Sequence, residues 1–71
     1  MNAQKQREAL ENALISFGLT NLTVYPKISE DKREKKPKFF LNNGFQTISP
    51  VLNYENMNSF IMGMGAYKKM N

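Results

Sequence analysis

The spacing of the apolar residues changes period twice along this chain, and those two changes leave few folds open. Over residues 3 to 17, Ala9, Leu10, Ala13, Leu14 and Phe17 recur at the spacing of one helix face, while Lys5, Arg7, Glu8, Glu11 and Asn12 take the other side. Gly18 follows, the residue best able to adopt the left-handed conformation that ends a helix. From Leu22 the period is two. Leu22, Val24 and Ile28 lie on one side and Thr23, Tyr25 and Lys27 on the other, the pattern of a strand with one buried face. Pro26 has no N–H to give a ladder, so this strand is expected at a sheet edge or to end early.

A second extended stretch, KFFLNNGFQTI, contains Asn43-Gly44, a dipeptide suited to the two positive-φ positions of a type I′ hairpin turn. A two-residue turn there predicts pairing of Asn42 with Phe45, Leu41 with Gln46, Phe40 with Thr47 and Phe39 with Ile48. Phe39, Leu41 and Ile48 then share one face, and Phe40, Phe45 and Thr47 the other.

The helical period returns after Asn53, a favourable N-cap, with Glu55 in the first turn and Leu52 placed to pack on Met57. Tyr54, Met57, Phe60, Ile61, Met64 and Tyr67 form a broad apolar stripe, and Lys68 and Lys69 put positive charge at the far end. Gly63 and Gly65 each cost about 1 kcal/mol relative to alanine inside a helix. Close packing against Ala9 and Ala13 of the first helix is one reason for them; an early helix end near Gly65 is another. The order helix, strand, strand, strand, helix predicts a single small α+β domain over residues 1–71, a three-stranded antiparallel sheet flanked by an N-terminal and a C-terminal helix.

Between the first two strands runs SEDKREKKPK. Its central EDKREKK mixes four positive with three negative side chains, as a solvated connection does, and each carboxylate subtracts from any attraction for phosphate. The basic edge formed by Lys35, Lys36 and Lys38 with Lys27 is the better candidate for a contact.

Composition narrows the chemistry. With no Cys and no His, the chain lacks a thiolate nucleophile, a side chain that titrates near neutrality at its unperturbed pKa, the usual zinc ligands and any disulfide framework. Ser16, Ser29, Ser49 and Ser59 have no base to activate them, and the GMG of the last helix lacks the spacing of a phosphate loop. A non-enzymatic protein without cofactor or metal is expected. The apolar runs fall far short of the roughly 20 residues that span a bilayer, and MNAQKQREAL has no apolar core of a signal peptide. A cytoplasmic location follows as the expectation.

The net charge of +4 favours polyanionic or acidic partners. On the sheet face away from the helices, Tyr25, Phe40 and Phe45 interleave with Lys27 and Lys38, a combination that can stack bases while holding phosphates. Met62 lies off the apolar stripe of the last helix and is its candidate protein contact. Covering of the aromatic face by a second copy is the competing expectation, because three exposed aromatics ask for burial in so short a chain.

The segment ISPVLNYENMNSFIMGMGAYKKM resembles the C-terminal ends of short proteins from phages of low-GC Gram-positive bacteria, in which a polar-capped helix with a phenylalanine and a glycine, here Phe60 and Gly63, follows a small sheet. The resemblance covers about a third of the chain. It implies a small phage accessory protein that binds and modulates a host or phage macromolecular complex, including the class that inhibits bacterial defence systems, acting in the host cytoplasm. Single-stranded nucleic-acid binding is the alternative function read from the residues.

Overall fold

A computed structural model describes residues 2–27 and 36–70; Ile28 and the charged run as far as Lys35 lie outside the described residues. The order is α1 (Ala3–Ser16), β1 (Thr23–Lys27), β2 (Lys38–Asn42), β3 (Leu52–Asn53) and α2 (Tyr54–Met70), with the strands arranged β1-β2-β3 and antiparallel throughout. This is the α-β-β-β-α arrangement that the two period changes predict.

Helix α1 starts where the Asn2 side chain accepts the N–H of Lys5 at 2.8 Å. It stops at Gly18, whose φ of 73° lets the N–H groups of Leu19 and Gly18 reach back to the carbonyls of Leu14 and Ile15 at 2.8 and 3.0 Å. These are the two bonds of a Schellman end, and Leu19 packs on the core beside them. Helix α2 is capped by Asn53, whose side chain accepts the N–H of Asn56 at 2.9 Å. It continues past Gly65 to Met70, so the early end considered from the sequence does not occur.

Both helices lie on one side of the sheet: α1 meets β1, α2 meets β2 and β3, and the helices meet each other. Between these layers Leu10, Leu14, Leu22, Val24, Phe39, Leu41, Met57 and Ile61 form the core. Burial of each such side chain stabilises by about 1.5–3 kcal/mol relative to exposure. Gly65 is buried in the same layer. A Cβ at this position would fall 2.4 Å from the Phe17 ring, so α2 passes Phe17 where only a hydrogen fits. At Gly63 a Cβ would meet nothing within 4 Å. The close approach thus accounts for one glycine and not the other, and the partner is Phe17 rather than Ala9 or Ala13. Near the end of α2 the Lys68 ammonium donates to the Gly18 carbonyl at 2.8 Å, tying α2 to the turn after α1.

The hairpin differs from the expectation. No described non-glycine residue has positive φ, so Asn43 does not take the first position of a type I′ turn. Instead the Asn42 side chain accepts the N–H of Gly44 at 2.7 Å, and that of Asn43 accepts those of Phe45 and Gln46 at 2.9 and 3.0 Å. These side-chain acceptors build a wider turn closed by an Asn42–Thr47 bridge, in place of the predicted Asn42–Phe45 pairing.

The returning chain pairs only briefly. Ile48 donates to the Leu41 carbonyl at 2.9 Å, and then the buried Ser49 hydroxyl accepts the Leu41 N–H at 2.8 Å and donates to the Pro50 carbonyl at 3.1 Å. A side chain therefore takes the place of a strand carbonyl, and regular pairing resumes only where Leu52 meets Phe39. The predicted Phe39–Ile48 partnership is replaced by this one, although Ile48 still packs on the core face.

Strand β1 is an edge, as Pro26 requires. Leu41 spends its N–H and C=O on Ser49 and Ile48, so Val24 opposite it is a non-hydrogen-bonded partner, and Pro26 two residues on is another. The absent proline N–H thus faces the open edge. On that edge the Arg7 Nε donates to the Val24 carbonyl at 3.1 Å, with the guanidinium also 3.8 Å from Glu11.

Candidate nucleic-acid interface

Alternation along β1 and β2 decides what the far side of the sheet shows. Val24, Phe39 and Leu41 point into the core, so their neighbours point away from it, in three cross-strand pairs: Thr23 with Asn42, Tyr25 with Phe40, and Lys27 with Lys38. No described helix covers this side. The Tyr25 and Phe40 rings stack with centroids 5.7 Å apart and planes inclined by 24°, and Tyr25 remains 44% exposed. One pair further along, about 7 Å away, the two lysines stand directly opposite each other. Lys36 is exposed just before β2, at the same end of the sheet.

The structure thus brings Tyr25, Lys27, Lys38 and Phe40 together as the sequence predicts, with Lys36 beside them. Phe45 is not among them: it sits in the turn, 95% exposed, at the other end of the strand pair from the lysines. Met62 lies on α2, exposed, with its sulfur 3.8 Å from the Asn58 amide, in the helix layer rather than on this sheet face. Lys35 lies outside the described residues.

Chemically, the face offers an exposed aromatic ring with two lysines one pair further along the same side. Two lysines on one face, each at the end of a long flexible stem, can reach for phosphates of a bound backbone. The exposed ring can stack on a base of any identity, whereas a duplex keeps its bases inside and offers no such surface.

A second surface was missed by the sequence reading. Leu19, Ser59, Phe60, Gly63, Met64, Tyr67 and Lys68 line an open, mostly apolar groove of about 690 Å³ beside α2, with Tyr67 70% exposed. Its signal was Gly63, a helix-interior glycine that the core does not need. Among the described residues no three His, Cys, Asp or Glu side chains gather to hold a metal ion, and no helix is long and apolar enough to cross a membrane. Comparison with protein-family models, with curated proteins and with solved structures returns no match, so the reading of this face rests on its own geometry.

Proposed function

We propose that this is a non-enzymatic accessory protein that acts by binding another macromolecule, and that its sheet face away from the helices takes single-stranded nucleic acid. The observation that carries this reading is the adjacency of the stacked Tyr25–Phe40 pair and the opposed Lys27 and Lys38 on one face that no described helix covers. In the proposed complex Tyr25 stacks on a base, Phe40 backs the tyrosine ring, and Lys27, Lys36 and Lys38 hold phosphates. Fluorescence anisotropy with a labelled oligonucleotide at low salt tests it. Affinity is expected to fall with salt at a logarithmic slope of about −0.7 per phosphate held, hence about −2 for three lysines. Tyr25→Ala is expected to weaken binding about tenfold through loss of stacking. Absence of binding at low salt, or equal affinity for duplex and single strand, removes the reading.

The groove along α2 supports a second reading, in which the protein modulates a protein complex of phage or host, including a defence complex. It fits the apolar side of a partner helix, and the resemblance of residues 48–70 to phage proteins supports it. A photo-crosslinking amino acid in place of Tyr67 is expected to capture one protein reproducibly in a bacterial host. Scattered products, or none, count against it.

A further inference from the structure

The side of α2 turned away from the core carries Glu55, Ser59, Met62, Ala66 and Lys69, spaced 4, 3, 4 and 3 residues apart, and all five are exposed. That alternation of fours and threes is the spacing of a seam along which two helices pack. Three properties of this seam specify its occupant. Its centre is Met62, 54% exposed and the one large apolar side chain of the five. Flanking it are the small residues Ser59 and Ala66, which let another backbone approach. At its ends stand opposite charges, Glu55 and Lys69, each seven residues from Met62 and so about two helical turns away.

A seam with a central apolar residue and equidistant opposite charges is complementary to itself run backwards. We propose that α2 pairs with α2 of a second copy of this chain, antiparallel and about a twofold axis passing beside Met62. Under that symmetry the Met62 side chains of the two copies meet, Ser59 faces Ala66 of the second copy, and Glu55 faces Lys69 at both ends. A parallel arrangement would instead set Glu55 against Glu55 and Lys69 against Lys69. The seam lies in the helix layer, opposite the sheet face carrying Tyr25 and Phe40, so pairing does not cover that face in either copy. The inference is independent of what that face binds, and it places self-association on a different surface from the aromatic face suggested by the sequence.

Sedimentation equilibrium of the intact chain at micromolar concentration tests it, with thermal melting followed by circular dichroism to confirm that each variant is folded. The native protein is expected at about twice its 8.2 kDa chain mass. Met62→Glu, which sets two like charges at the axis, is expected to return the mass of one chain. Glu55→Lys and Lys69→Glu are each expected to weaken association about tenfold, and combining them to restore it to within about twofold of native, because the exchanged charges again face their opposites. A native protein with the mass of one chain overturns the inference. So does a dimer indifferent to these substitutions, including one lost in Tyr25→Ala, which would place the contact on the sheet face.

Discussion

Replacing Gly65 by alanine is expected to lower the thermal midpoint by up to about 15 °C, whereas the same replacement two residues earlier, at Gly63, raises it. Helix propensity alone would make both changes stabilising by about 1 kcal/mol. The difference lies in what the added methyl meets. At Gly65 it would fall 2.4–2.8 Å from three atoms of the Phe17 ring, so either the ring or α2 must move; at Gly63 it meets nothing. Overpacking of this kind costs about 1–3 kcal/mol, and in a domain of this size each kcal/mol shifts the midpoint by about 4–8 °C. Phe17→Leu in the Gly65→Ala background is expected to recover part of the loss by withdrawing the ring edge. Melting curves of the two single variants and the double variant check the account. Equal, stabilising shifts at both glycines would show that α2 does not pass Phe17 this closely.

Ser49→Ala is expected to destabilise by about 1–3 kcal/mol although it removes a single oxygen. The Leu41 N–H that the hydroxyl accepts at 2.8 Å is buried, and without it that donor has no partner from the returning chain. Ser49→Thr keeps the hydroxyl and is expected to retain most of the stability. Urea titration measures the loss, and hydrogen exchange locates it: the Leu41 amide is expected to exchange far faster in the alanine variant than in the threonine one. Unchanged protection of that amide would mean another acceptor serves it.

Local chemistry explains which parts of this fold the sequence discloses. Gly18, Asn53 and the two helix stripes act within a turn of themselves, so α1 and the start of α2 are legible. Strand β1 is legible from its alternation, and its edge position from Pro26. At the hairpin the sequence misleads: Asn43-Gly44 suits a type I′ turn, while Asn42 and Asn43 both have side chains able to accept the turn's N–H groups and so favour a wider loop. The third strand begins later than the sequence suggests for a related reason: Pro50 has no N–H to give a ladder, and the Ser49 hydroxyl, in the place of a strand carbonyl, meets Leu41 through a contact eight residues away. Tyr67 belongs to the apolar stripe by its spacing, yet Gly65 occupies the buried position near it and Tyr67 turns outward. Of the candidate site, Tyr25, Lys27, Lys38 and Phe40 follow from alternation once β1 pairs with β2. Phe45 failed with the turn that was to carry it.

The two ends of the sheet's hydrogen-bonding direction restrict how anything can attach to it. A peptide that joins a sheet as an extra strand needs a row of open donors and acceptors. On β1 that row is interrupted, since Pro26 has no hydrogen to give and the Val24 oxygen is occupied by Arg7. On β3 it is only two residues long. Strand addition is therefore disfavoured at both borders, and with it the edge-to-edge stacking through which small sheets turn into fibrils. A partner would then be met on the broad surfaces, through ring, charge and shape of side chains rather than through backbone pairing.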